Sequence, residues 1–173
     1  MTVDITGLAR HHDRNDFDCG EPALNAFLQR LARQRAERDF NRTYVACAQG
    51  ESRIRGYYAV SAAAIDFENW PSSLRLPRYP VPVARIGRLA VDGRSQETGV
   101  GAALMRHAMV LAASLAQHIG LYAVVVDAKN EAAFAFYARY GFQRFFDQGL
   151  SMFLTTDVIR RALAAGGTLP PLP

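Results

Sequence analysis

Very little in this chain can hold a metal, span a bilayer or cross-link. It has two cysteines, Cys19 and Cys47, in no metal-type spacing, and in a chain of 173 residues two cysteines read as free thiols before they read as a disulfide. The four histidines add no ligand spacing, because His11 and His12 are neighbours that point opposite ways on an extended chain, so no metal is expected. No apolar run reaches the roughly 18 residues of a membrane helix, although half of the residues are hydrophobic, so one soluble domain with a full core is expected. Met1 to Asp13 shows no basic segment followed by an apolar block, which makes the cytoplasm the expected compartment. Lysine is nearly missing. Lys129 is the only one, and arginine carries the rest of the positive charge behind a net +4. Arginine's planar fork suits phosphate, but genomic base composition produces the same bias, so charge alone does not select a nucleic-acid partner. No internal repeat is present.

What the chain does have is an apolar strand that runs through a turn into a glycine-opened helix, between Arg85 and Leu104. The free N–H groups of a helix's first turn, with the positive end of its dipole, form an anion site, and glycines let a phosphate approach the backbone. Gly99 and Gly101 fit that use. The plainer alternative is a helix that starts after a turn and tolerates its glycines, at about 1 kcal/mol each in an interior. No Gly-Lys-Ser/Thr follows, which excludes the Walker loop, and position 104 is Leu104, which excludes the dinucleotide fingerprint.

In chain order, Thr2 to Ala9 reads as a first strand and Pro22 to Arg38 as an amphipathic helix with Leu24, Phe27, Leu28 and Leu31 on its core face. Thr43 to Ala48 and Arg53 to Ile65 read as an antiparallel pair, followed by a proline-rich loop from Asp66 to Pro82. Val83 to Val91 feeds the glycine turn, and the helix beyond it carries Leu104, Ala108, Leu111, Leu115 and Ile119 on one face, with Gly120 placed to end it. Leu121 to Val126 is a continuous apolar strand, so strand, helix and strand imply a parallel crossover. Asn130 caps a short helix that Gly141 terminates. Phe142 to Phe146 and Leu150 to Thr155 form a last strand pair, Asp157 to Ala165 a last helix, and residues 166–173 a disordered tail after a single domain over 1–165.

Two segments then carry a family resemblance. Gln96-Glu97-Thr98-Gly99-Val100-Gly101 resembles the Gln/Arg-x-x-Gly-x-Gly/Ala motif of the GNAT acetyltransferases, and Asn130 to Phe142 resembles their Asn-x-x-Ala-x-x-Phe-Tyr-x-x-x-Gly-Phe helix. The resemblance implies an α+β fold, with a mixed central sheet, helices on both faces and acetyl-CoA as cofactor. It places backbone groups of Leu89, Ala90 and Val91 on the pantetheine arm, the loop Gln96, Glu97, Thr98, Gly99, Val100, Gly101 and Ala102 on the pyrophosphate, and Asn130 beside them. It makes Tyr137 the general acid. A phenol of pKa about 10 stays protonated at neutral pH and can serve a thiolate whose thiol titrates near about 8.5. From helix spacing alone, Tyr137 reads as core with Ala133 and Tyr140.

Phe17 to Leu28, Gly56 to Ser61 and Gly87 to Asp92 further resemble the toxin branch of that family. Those proteins acetylate the amino group of aminoacyl-tRNA, pair with a ribbon-helix-helix antitoxin that alone contacts operator DNA, and form homodimers. An α-amine suits such an enzyme, because at pH 7.4 roughly a quarter of α-amines but only about one lysine in a thousand is neutral and nucleophilic. Asp66, Glu68 and Asp92 are the candidate bases, with water sufficient in their place. For the tRNA backbone the candidates are Arg30, Arg33, Arg35, Arg38 and Arg42, with Arg75, Arg78, Arg85 and Arg88 as a second group. A solvated charged face explains the first group equally simply. Tyr57, Ser61 and the Asp66 to Pro82 loop are expected to shape the aminoacyl pocket. The rival readings are acetylation of a small-molecule or protein amine and a non-catalytic module of the same fold.

Overall fold

The computed structural model describes residues 2–145 and 149–166. Seven strands form one mixed sheet: β1 (Val3–Gly7), β2 (Arg42–Ala48), β3 (Gly56–Ile65), β4 (Val81–Val91), β5 (Ala123–Asp127), β6 (Gln143–Arg144) and β7 (Ser151–Thr155). Their order across the sheet is β1-β2-β3-β4-β5-β7-β6. β4 and β5 are parallel, with register from Val83 against Ala123 to Ile86 against Val126, as the strand, helix, strand order requires. The helices are α1 (Pro22–Ala26), α2 (Ala32–Glu37), α3 (Val100–Leu115), α4 (Glu131–Ala138) and α5 (Thr156–Ala165). The α+β class and its mixed sheet agree with the sequence reading. No helix among the described residues is long and apolar enough to cross a membrane.

The residues group into two compact units. One takes the chain up to Ser61 together with Gly87–Ala108. Its core is built from Phe17, Phe27, Leu28, Val45, Ile54 and Tyr57, with both free cysteines buried in it. Gly56 is needed there for close approach: a Cβ at that position would lie 2.9 Å from both Leu104 Cδ1 and Val100 Cγ1. The missing side chain lets the first turns of α3 lie directly on β3.

The other unit takes Ala62–Ile86 and the chain from Met109 onward. Trp70 anchors it, edge-on to Phe145 and Tyr122 and beside Phe153, over the inward faces of β4, β5 and β7. Burial of Trp70 explains why the proline-rich segment is ordered. It forms two short 3₁₀ turns, Phe67–Asn69 and Ser72–Leu74, instead of a plain loop.

Three element boundaries and one side-chain role depart from expectation. The first helical run covers Pro22 to Glu37, but its middle, Phe27–Leu31, widens into a π turn between α1 and α2. The second long strand starts at Gly56, because Arg53 makes only an isolated bridge to Asp13. α3 stops at Leu115, where Gln117 and His118 turn back onto the carbonyls of Ser114 and Leu115, and Ile119 is 54% exposed instead of lying on the core face. Tyr57 is fully buried with its hydroxyl donating to the Leu24 carbonyl at 2.7 Å, so it shapes no aminoacyl pocket. The expected strand end at Phe146 and most of the tail, 167–173, lie outside the described residues.

Candidate active site

In the first unit the glycine loop follows directly on β4. Val91 is succeeded by Asp92, which is 0% exposed and whose carboxylate accepts from the backbone amides of Asp18 (3.1 Å) and Arg94 (2.9 Å). The Arg94 guanidinium reaches both of its oxygens and also the Asp16 carboxylate, while Arg53 stands 4.0 Å away. Burial opposes ionisation of Asp92, but the guanidinium and the two amides overcome it and hold the carboxyl down to about 2. A group so acidic and so fully occupied cannot take a proton near neutral pH, which removes Asp92 from the candidate bases. Asp66 and Glu68 are exposed around the 3₁₀ turn Phe67–Asn69 and show no catalytic geometry.

Asp92 instead ties the chain together. Gly93 donates to the Asp18 carbonyl at 2.8 Å, Asn25 accepts from Cys19 and donates to Asp18, and Gln29 donates to the Phe17 carbonyl. The Phe17 to Leu28 segment is therefore a strap around the start of the glycine loop. This role was missed in the sequence, although an aspartate directly after an apolar strand and before Gly-Arg is an Asx-turn signal.

The loop itself is exposed from Gln96 to Gly99. Gln96 spends its side chain on the Val91 carbonyl (3.2 Å) and the Cys19 carbonyl, and Thr98 donates its hydroxyl to the Ser95 carbonyl. Glu97 (φ 63°) and Gly99 (φ 92°) adopt left-handed backbone, and a Cβ at Gly99 would meet nothing within 4 Å. Val100 is core at 1% exposure, so only its backbone faces outward, while Gly101 is half-buried and Ala102 exposed. The first-turn amides of a 16-residue helix have no intrahelical partners. An open, glycine-shaped approach to those amides fits a diphosphate. On β4, Leu89 and Val91 are half-buried and Ala90 is core.

In the second unit β5 ends at Asp127, which accepts from Arg85 Nε (2.7 Å) and Nη2 (2.9 Å) and from the Ser151 hydroxyl (2.8 Å). Asn130 follows and caps α4, its side chain accepting from Ala133 at 2.8 Å. One turn on, Tyr137 is 5% exposed, packed against Phe136 and Phe142. Burial, and secondarily the Asp127 charge, push its phenol well above the ordinary tyrosine range. It stays protonated at neutral pH.

Residues 9–142 of this chain match the acetyltransferase (GNAT) family. The chain belongs to that family. A tRNA-acetylating toxin of Mycobacterium tuberculosis is 35% identical over 133 residues, covering 76% of this chain and 78% of that protein. The structure of AtaT complexed with acetyl-methionyl-tRNAfMet superposes with a TM-score of 0.86 at 30% identity, covering 93% of this chain and 99% of that one. A tyrosine-to-phenylalanine mutant of the AtaT toxin, bound to the C-terminus of the antitoxin AtaR and to acetyl-CoA, gives 0.81 at 28% identity, covering 95% and 99%.

The arginines of this acetyltransferase divide by environment. Arg30, Arg35 and Arg38 are exposed around α2, while Arg33 pairs with Glu37 and Arg42 with Asp39. Arg75 and Arg78 are exposed beyond the Ser72–Leu74 turn. Arg88 lies over the Phe27 ring at 4.0 Å. Arg85 makes a bidentate pair with Asp127 at the end of β5, and its side chain is 43% exposed.

Proposed function

We propose that this acetyltransferase moves the acetyl group of acetyl-CoA to the α-amino group of aminoacyl-tRNA, and so acts as a translation-blocking toxin. The observation that carries the reading is the strapped, left-handed loop at Gly99, opening onto the first-turn amides of α3. Two similar proteins, a tRNA-acetylating toxin and AtaT complexed with acetyl-methionyl-tRNAfMet, point to the acceptor.

The thioester, when bound, supplies an activated acetyl group. The chain's part is to hold and to protonate. Amides of Thr98 to Ala102 take the diphosphate, and backbone groups of Leu89, Ala90 and Val91 pair with the pantetheine arm as an added strand would. Asn130 borders the same cofactor. Tyr137 would give its proton to the departing thiolate; burial keeps the phenol protonated at neutral pH. No carboxylate is needed as base, because an α-amine is already partly neutral, and the proton its nitrogen sheds as the C–N bond replaces the C–S bond passes through water to the Tyr137 phenolate. Arg30, Arg33, Arg35, Arg38 and Arg42, with Arg75, Arg78 and Arg88, meet the tRNA phosphates. Restraint comes from a ribbon-helix-helix antitoxin, through which alone the toxin reaches operator DNA, and the working form is a cytoplasmic homodimer.

The test is transfer from labelled acetyl-CoA to a pool of charged tRNA, read by mass spectrometry of the released amino acids. N-acetylated amino acids are expected. Label in small amines or protein termini, with charged tRNA unmodified, would replace this reading by the rival one.

A further inference from the structure

After α2 the chain makes a tight turn, Arg38-Asp39-Phe40, which closes the helix as a left-handed cap with aspartate where glycine is usual. Asp39 is held at φ 61°, a left-handed conformation that non-glycine residues seldom adopt, and such strain persists only where the surroundings fix it. They do so here. Arg38, Asp39 and Phe40 donate their amides to the carbonyls of Gln34, Ala36 and Arg35. Arg42 clamps the corner from below, with Nη2 on the Asp39 carboxylate and Nη1 on the Ala36 carbonyl, each at 2.7 Å.

This rigid corner presents an aromatic ring to solvent. Phe40 is 56% exposed, and the Arg38 guanidinium lies over its ring at 5.0 Å from the centroid. Arg30 and Arg35 are exposed on the preceding helical turns. The residues that flank the corner in sequence line a recess of about 190 Å³, among them Arg33, Glu37, Arg42, Thr43 and Tyr44. Thr43 is 3% exposed, and its hydroxyl oxygen is buried with no hydrogen-bond partner. The recess thus holds two arginines already paired, Arg33 with Glu37 and Arg42 with Asp39, and a buried hydroxyl with no partner.

A solvent-exposed ring on a fixed backbone, with a guanidinium over one face and arginines around it, is a surface on which an unpaired base can stack, because every base has a π face while paired bases keep theirs stacked. We infer that the α2–β2 corner is a stacking platform for an unpaired nucleotide of the RNA substrate, its base on Phe40 and its phosphates met by the neighbouring arginines. This rests on the aminoacyl-tRNA reading above and adds a site to it. Backbone contacts alone would not tell single-stranded RNA from duplex, whereas a stacking platform does.

The test uses the full chain and two probes, a short single-stranded oligoribonucleotide and the same strand annealed to its complement. Phe40→Ala should weaken single-strand binding about 5- to 150-fold, the range for loss of one base–aromatic stack, and change duplex binding less than about twofold. Phe40→Trp should restore single-strand binding. The salt dependence of both variants should match the parent, since no phosphate contact is removed. Unchanged single-strand affinity in Phe40→Ala, equal losses on both probes, or no single-strand binding by the parent would each overturn the proposal. So would an unaltered RNA affinity with weakened capture by an antitoxin peptide, which would make the corner a protein surface. Acetylation of charged tRNA by the parent protein is scored separately, so failure of the platform and failure of the proposed activity are told apart.

Discussion

Two strands of this sheet lead through an aspartate into a helix, and the two aspartates are used differently. Asp92, after β4, is fully buried and two of its partners are backbone amides, those of Asp18 and Arg94. Asp127, at the end of β5, is a third exposed and accepts from the side chains of Arg85 and Ser151. The difference follows what each region must do. The groups before α3 proposed to bind are main-chain amides, so a carboxylate that fixes the path of the main chain is what they need. Beyond Asp127 the group proposed to work is a side chain, the Tyr137 phenol, and a carboxylate acting on its surroundings suffices.

Removing each aspartate should expose the contrast most clearly. Asp92→Ala leaves buried amides without an acceptor and strips Arg94 of its main partner, so a loss of about 3 kcal/mol in denaturant unfolding is expected. Asp127→Ala breaks a half-exposed pair and should cost less than about 1 kcal/mol. Comparable losses would dissolve the distinction. Acid titration sharpens the same point. The folded pKa of Asp92 is lowered to about 2 from an unfolded 3.8, so its stabilisation is complete above pH 4 and is lost as pH falls through 2. That is roughly 2 kcal/mol, and Asp92→Asn should abolish this part of the acid slope.

The next effect falls on chemistry. Tyr137→Phe should lower kcat about a hundredfold, the low end of what a positioned general acid contributes, while calorimetry shows acetyl-CoA binding unchanged. Because the ring is packed between Phe136 and Phe142, the fold should survive loss of one hydroxyl. Turnover near that of the parent would return Tyr137 to the core role that its helix spacing also allows.

Most of the sheet and both site helices were legible because their signals are local. A continuous apolar run marks β5, and an asparagine cap with a glycine stop bounds α4. What was not legible depends on partners distant in sequence. Arg85 reads as a free cation until β5 brings Asp127 to it, 42 residues on. Asp92 reads as a base until Asp18, 74 residues away, turns its amide toward it. The π turn at Phe27–Leu31 was not legible, and its extra residue shifts the inward face to Ala32 and Ala36 and leaves Arg35 and Arg38 exposed. Trp70, in a proline-rich loop, gave no hint that the loop folds onto a core.

The smallest expected effect is at Gly99, and it separates conformation from contact. At φ 92° a side chain pays a backbone penalty, yet a Cβ there meets nothing within 4 Å, so Gly99→Ala creates no clash inside the protein itself. Its cost to stability should therefore be only about 1 kcal/mol. If the empty space is the approach for a diphosphate, the same methyl should raise the KM for acetyl-CoA about fivefold while the KM for charged tRNA stays put. A stability loss with both KM values unchanged would mean that the glycine serves the turn alone, and the contrast between the Asp92 and Asp127 regions would lose its first member.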